Sequence, residues 1–378
     1  MVSEKYPLRV LHVLGRLDRG GAETMVMNLY RKIDRSLIQF DFVKHTEDSC
    51  EFDEEILSLG GRIISIPQFK GYNFLHYINS WRKLFKVHSE YKIIHGHVRS
   101  TASIYLWIAK RYRLITVAHS HSTSSGNGFK AFVKNILQYP IRNNADYFFA
   151  CSRKAGLWLF GKRVVQGNNF TILNNAIDTQ RYTFDSQVRY HLREKLHIEN
   201  KFVIGHVGRF TAAKNHNFLI DIFKLINDKY ANTFLLLVGD GDLRTQLERK
   251  VRDLGLTHCV SFLGVRADIP DIMQAMDVFL FPSLVEGLGI VAIEAQAAGL
   301  PSIVSDALPE EVIVSNLIQR VSLNTLINHW VDLVLGHYFN PKERKNTSEE
   351  INKNGYNIIE TSDWLREFYL KLAGNQNV

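Results

Sequence analysis

Two stretches of this sequence place charge and glycine where an anion could be held. At Gly205-His206-Val207-Gly208-Arg209-Phe210 a β-rich run ends in a loop, and Lys214 follows at the start of the next helical pattern. An arginine fork and a compact lysine charge converging on a strand-end loop would neutralise a diphosphate. Further on, Pro282-Ser283-Leu284-Val285-Glu286-Gly287-Leu288-Gly289-Ile290 opens a helical stretch that carries Glu294. Glu294 lies about two turns beyond Gly287 on nearly the same face, and its side chain leans back towards the helix start. Glu286 and Glu294 would then flank one set of free backbone amides. An acidic pair near a helix's positive end is by itself ordinary helix electrostatics. Gly287 and Gly289 inside the pair favour a ligand, because they clear room against the backbone.

Three further groups are weaker. Gly20-Gly21 stands where a strand-end turn runs into a helix, which suits an anion near the backbone amides but equally suits a tight connection. The spacing is neither G-x-G-x-x-G nor G-x-x-x-x-G-K-[ST], which disfavours a nicotinamide dehydrogenase and a P-loop enzyme. His95-Gly96-His97 and His119-Ser120-His121 each end a strand pattern, where an imidazole would point into a cleft. No clear carboxylate partner is placed beside either pair, so a polar lining is expected in place of a metal, its rings hydrogen-bonding a substrate hydroxyl or phosphate or simply satisfying neighbouring loop backbone. Asp240-Gly241-Asp242 has the spacing of a cation-binding pair, but it too ends a strand, where Asp is a natural N-cap and Gly a natural turn residue.

The elements that must position these residues are short β-rich runs alternating with helical patterns, the signature of parallel sheets covered on both faces. Strands are expected at residues 9–14, 40–44, 62–65, 92–95, 114–118, 147–150 and 170–173, then at 202–207, 233–238, 260–263, 278–281 and 302–304. Helices are expected at 22–32, 74–87 and 130–140, and then at 217–227, 243–254 and 290–298. A polar stretch over 178–200 with a short amphipathic piece at 188–196 separates the two series. The predicted class is α/β, two doubly wound Rossmann-like domains facing across a cleft: residues 1–185, residues 186–355, and a terminal segment at 356–378. In such sheets ligands bind beyond the carboxyl ends of the strands, where the loops above lie.

Composition sets the bounds. Of 378 residues 46% are apolar and 22% charged, which supports a large core and excludes a disordered chain. Cys50, Cys151 and Cys259 are odd in number and widely spaced, so neither a disulfide framework nor a zinc motif is expected, and a reducing cytosol fits. Glu4, Lys5 and Arg9 precede any apolar stretch, and no run approaches the length of a membrane span. Residues 1–180 carry 25 Lys+Arg against 14 Asp+Glu, a net of +11, whereas the remainder carries a net of −3. That asymmetry favours an anionic membrane surface or a phosphorylated substrate over nucleic acid, since no nucleic-acid motif accompanies it, and plain solvated surface charge is the other reading. Arg82, Lys83, Lys86, Lys110, Arg111 and Arg113 are the residues expected to face anionic lipid.

The set resembles glycosyltransferase family 4, the retaining GT-B enzymes of bacterial capsule and exopolysaccharide assembly, over nearly the whole chain. The resemblance rests most on Glu286 and Glu294 within PSLVEGLGIVAIEAQAAGLP. GRFTAAKNH at Gly208-His216, VGDGDLR at Val238-Arg244, ILNNAID at Ile172-Asp178 and GGAE at Gly20-Glu23 support it. The family's Pro-Asn-Gly turn appears here as Leu173-Asn174-Asn175, where Asn tolerates the left-handed conformation. The stretch after the 290–298 helix, SDALPEEVIVSNLIQRVSL, departs from the glycine-containing loop that touches the base.

The resemblance implies that Arg209 and Lys214 neutralise the donor diphosphate and that Glu294 binds the ribose hydroxyls. It implies that Glu286, with the amides of Gly287, Leu288, Gly289 and Ile290, holds the donor sugar and the departing phosphate. His119 looks like the acceptor-side histidine, with His121 as the alternative register and His97 nearby, and Gly20-Gly21 would approach the donor phosphate and the acceptor. A last helix at Asn357-Leu370 would cross back from the nucleotide-sugar domain to the first, acceptor-binding domain. The implied reaction moves a sugar, with retention and without metal or other cofactor, from a nucleotide-sugar donor, UDP-linked, to an undecaprenyl-diphosphate-linked oligosaccharide. The expected location is cytoplasmic, peripheral at the inner face of the membrane. A catalytically silent partner-binding relative and a nucleotide-sugar epimerase stay open as other readings.

Overall fold

A computed structural model describes residues 6–124 and 128–374; Glu4 and Lys5 lie outside the described residues. Among the described residues thirteen strands form two parallel sheets. The first comprises β1 (Leu8–Val13), β2 (Ile38–Lys44), β3 (Ile63–Ser65), β4 (Ile93–Gly96), β5 (Ile115–Ser120), β6 (Tyr147–Ala150) and β7 (Phe170–Ile172), in the order β3-β2-β1-β4-β5-β6-β7. The second comprises β8 (Phe202–Val207), β9 (Thr233–Val238), β10 (Val260–Gly264), β11 (Val278–Phe281), β12 (Ser302–Ser305) and β13 (Ile318–Val321), in the order β10-β9-β8-β11-β12-β13.

Every strand expected from the sequence is present, and β13 is an addition. It lies within the stretch that departs from the family's glycine loop. As the edge strand, with Gln319 exposed, it lacks the continuous apolar run that marked the others.

The chain forms two compact units. One is residues 1–177 with 356–378, the other 178–355. The first boundary thus comes earlier than the expected 185. The terminal helix Ile358–Gly374 belongs to the first unit, where Ile358, Leu365, Tyr369 and Leu372 join Val10, Ile93, Val117 and Phe149 in one core. Side-chain alternation along each strand sends the neighbouring residues Leu11, Ile94, Ala118 and Phe148 to a second core on the opposite face. In the second unit Ile204, Leu235, Leu237, Val278, Leu280 and Ile303 make the corresponding core.

Strand order reverses at β1/β4 in the first sheet and at β8/β11 in the second. Loops leaving the carboxyl ends of adjacent strands diverge there and open a crevice. The loops carrying Gly20-Gly21 and His97 stand at the first switch point, and those carrying Arg209 and Glu286 at the second.

Candidate functional site

In the second unit, the loop after β8 is pinned on both sides of Arg209. Phe210 is fully buried, its amide donates to the Asp240 carbonyl at 2.9 Å, and its carbonyl accepts from the Leu243 amide at 3.1 Å. A Cβ on Gly239 would come within 2.1 Å of the Gly208 carbonyl oxygen, and its φ of +132° also requires glycine. Between these anchors Arg209 is exposed, and among the described residues its guanidinium makes no hydrogen bond or ion pair.

The loop after β11 is stitched to the same place. Asn215, in the left-handed conformation, donates through Nδ2 to the Pro282 carbonyl at 3.1 Å, and the Leu284 amide donates to the Ala213 carbonyl at 2.7 Å. Lys214 Nζ then meets Glu286 Oε1 at 2.5 Å and lies 4.6 Å from the Phe281 ring centre. The two residues expected to act separately are one ion pair, largely buried at 20% and 10% side-chain exposure. Arg209 is therefore the unneutralised cation of this group.

Gly289, at φ +85°, precedes the helix Ile290–Ala297, which has no side-chain cap. A Cβ there would stand 3.0 Å from Leu308 Cδ2. The amides at this helix start point where an anion is favoured. Glu294, 6% exposed, lies within the helix and pairs with the Tyr182 hydroxyl. Burial raises its carboxyl to about 7, against which the Tyr182 hydrogen bond acts.

Sequence reasoning passed over His206 and His216. Both are buried, with ring centres 4.5 Å apart, and His206 Nδ1 pairs with the Leu280 carbonyl at 2.9 Å. Burial, and then the Lys214 charge, lowers His216 to about 4, so these rings support the loop without adding charge. Their strand-end placement beside Lys214 was the available signal.

The Asp240 expectation needs correction. The helix Arg244–Asp253 is capped at Leu243, and Asp240 instead accepts from the Gly241 amide and pairs with Arg244. Among the described residues Asp240 and Asp242 belong to no cluster suited to a metal. Nor are Asn174 and Asn175 left-handed; of the asparagines it is Asn215 that adopts that conformation.

In the first unit Gly20 caps the helix Gly21–Lys32. A Cβ on Gly20 would strike Glu23 Oε2 at 2.3 Å, whereas one on Gly21 would meet nothing within 4 Å. The Glu23 carboxylate lies over the helix start, where the donor phosphate was expected, leaving Gly21 as the open position.

The two histidine pairs are not an open lining. His95, His97 and His119 are 1%, 8% and 2% exposed, and only His121 is partly accessible. Alternation along β4 and β5 sends all four rings to one face, and His12 on β1 joins them. His12 Nδ1 lies 3.0 Å from His97 Nε2, His97 Nδ1 lies 2.9 Å from His121 Nε2, and His95 Nδ1 meets the Tyr369 hydroxyl at 2.6 Å. Burial holds all five imidazoles well towards the neutral form, His121 at about 3. Among the described residues, both ring nitrogens of His119 are buried without a hydrogen-bond partner.

Known proteins match along the chain. The family model described as Glycosyltransferase Family 4 matches residues 19–181, and that described as Glycosyl transferases group 1 matches residues 189–354. EpsF of Bacillus subtilis, named as a glycosyltransferase, is 38% identical over 335 residues, 86% of each chain. The UDP-Gal:alpha-D-GlcNAc-diphosphoundecaprenol alpha-1,3-galactosyltransferase of Escherichia coli is 31% identical over 216 residues, 54% of this chain and 55% of its own. Among solved structures, Anabaena Alr3699/HepE in complex with UDP and glucose has a TM-score of 0.81 at 19% identity, covering 96% of this chain and 100% of that one. With two family models in tandem and a relative matched over most of its length, the chain belongs to glycosyltransferase family 4, and its two parallel-sheet units are those of the GT-B fold.

Proposed function

We propose that this glycosyltransferase moves a sugar from a UDP-linked donor to a lipid-diphosphate-linked oligosaccharide in surface polysaccharide assembly, with retention at the anomeric carbon. The observation that carries the reading is Arg209, an exposed cation without a partner, beside the Lys214–Glu286 pair and the uncapped Gly289 helix start. As the glycosidic bond stretches, negative charge grows on the diphosphate, and fixed donors aimed at it lower the barrier without a metal in the step. Glu294 receives the ribose hydroxyls. Glu286, already paired with Lys214, is poorly placed to act as a nucleophile, which favours front-face attack assisted by the departing phosphate.

The UDP in the Anabaena complex, and the UDP-Gal donor and GlcNAc-diphosphoundecaprenol acceptor named for the Escherichia coli enzyme, support the donor and acceptor classes. A Staphylococcus aureus relative named as a capsular polysaccharide biosynthesis glycosyltransferase supports the pathway class.

A lipid-linked acceptor calls for a protein that works at the membrane surface, and among the described residues no helix is long and apolar enough to cross one. Arg82, Lys83 and Lys86 are exposed on the helix Phe74–Val87. Lys110, by contrast, pairs with Asp146 at 2.7 Å, and Arg111 stacks on Trp107. The helix Phe129–Gln138 turns Phe129, Phe132, Val133 and Ile136 to solvent, an apolar stripe suited to the lipid interface.

Arg209→Ala should lower turnover roughly 10²- to 10³-fold with an unchanged melting temperature, the size of losing one oxyanion donor. Donor consumption measured with and without a lipid-diphosphate glycan decides the class. Turnover that needs the acceptor supports the transferase, whereas equal turnover without it indicates an epimerase and none at all a silent subunit.

A further inference from the structure

We propose that His97, His119 and His121 form a binding site for a divalent transition ion of the zinc type, held by three imidazoles with a fourth position open. Their ligating nitrogens lie within 4.8 Å of one another, and among the described residues this group and the overlapping set of His12, His95 and His97 are the clusters so arranged. Three strand ends build it. The loop leaving β4 supplies His97, β5 supplies His119 and the segment leaving it His121, while β1 places His12 behind them.

His119 points to a ligand most directly. It is 2% exposed and both its nitrogens lack a partner, although a neutral imidazole always carries one N–H and one lone pair. A purely hydrogen-bonded stack leaves both unsatisfied; an ion coordinated at one nitrogen removes half of that deficit.

His97 Nδ1 and His121 Nε2 are 2.9 Å apart, the distance of a hydrogen bond in which one ring's tautomer supplies the proton. A zinc ion at ordinary Zn–N lengths separates its tetrahedral nitrogens by about 3.3 Å. Replacing the proton by the ion therefore requires these rings to part by only a few tenths of an ångström. The other nitrogen of His97 faces His12 Nδ1 at 3.0 Å, the partner that fixes the ring of a metal-bound histidine. His121, partly accessible, provides the route in. Three neutral imidazoles without a carboxylate suit zinc, copper or nickel and are poor ligands for magnesium or calcium.

The test uses the full-length, untagged protein, stripped with chelator and titrated with Zn²⁺ by calorimetry and with Co²⁺ by visible absorption. One equivalent should bind with a Kd at or below the micromolar range, and Co²⁺ should give the intense visible bands of a tetrahedral site. His119→Gln and His121→Asn should each weaken Zn²⁺ at least tenfold, whereas His191→Ala, an exposed histidine on the helix Ser186–Leu196, should not. His121 is the less buried position, so its variant keeps the test valid if His119→Gln fails to fold. Absence of a bound equivalent, or one that survives both substitutions, overturns the site. The readout is the metal itself, so the outcome is independent of whether the proposed transfer reaction holds.

Discussion

Glu294 carries the clearest pH signature of any single residue in the donor-side group. Its carboxyl is raised from an ordinary 4.5 to about 7 because burial disfavours the charge. Below pH 4.5 both folded and unfolded chains hold this proton. Between 4.5 and 7 the unfolded chain releases it while the folded chain keeps it, so stability falls as pH rises through that window and levels off above it. Denaturant unfolding of wild type and Glu294→Gln at pH 5 and pH 8 should show the substitution gaining about 2 to 3 kcal/mol relative to wild type at the higher pH. A difference that does not change with pH refutes the shift. If ribose hydroxyls donate to this carboxylate, UDP-glucose, which does not titrate in that range, should bind wild type more tightly at pH 8 than at pH 6. In Glu294→Gln its affinity should be flat with pH. Type and spacing alone single out Arg209, Glu286 and Glu294 in the sequence as candidates. The Lys214–Glu286 pair was not legible there, since it joins residues from two loops that only the β8–β11 pairing brings together, and His12 was missed for the same reason.

Among the elements, the helix Phe129–Gln138 inverts the usual pattern. Phe129, Phe132 and Ile136 are 80%, 59% and 56% exposed, spaced to form one stripe, and Lys134 is exposed beside them. If this stripe enters the lipid interface, Phe132→Ser with Ile136→Ser should reduce binding to anionic vesicles at least about tenfold while leaving the melting temperature within a degree or two. Each buried aromatic or branched side chain contributes about 1.5 to 3 kcal/mol. Sedimentation with phosphatidylglycerol vesicles, set against phosphatidylcholine, separates apolar insertion from attraction to Arg82, Lys83 and Lys86. Unchanged binding by the double variant would assign the contact to charge alone. The sequence located this helix to within two residues, because its apolar period is strong. It gave no sign that the apolar face is uncovered, since the same stripe usually faces a core. β13 failed the opposite way: a half-buried edge strand with Gln319 and Arg320 has too little apolar content to announce itself.

At the scale of the whole molecule the first unit is built from the two ends of the chain. Its core around Val10, Ile93, Val117 and Phe149 is closed by Leu365 and Tyr369, both fully buried, and Tyr369 also meets His95. Ending the chain at residue 356 removes the helix Ile358–Gly374 from that core but touches no residue of the second unit's core. Hydrogen exchange should therefore show β1, β4 and β5 losing protection while β8, β9 and β11 keep theirs. A single melting temperature would blur the distinction, because a chain with two cores need not unfold in one step. Leu365→Ala is the gentler form of the same experiment. Truncating a buried leucine costs about 2 to 5 kcal/mol, and that loss should appear only in amides of the first unit. A UDP-dependent rise in protection around the 209–214 and 286–294 segments should survive in both variants, because Arg209, Lys214, Glu286 and Glu294 all come from residues 178–355. If the truncated protein instead loses protection equally in both sheets, the second unit depends on the first for its stability, and the donor-side group cannot be treated as a self-supporting site.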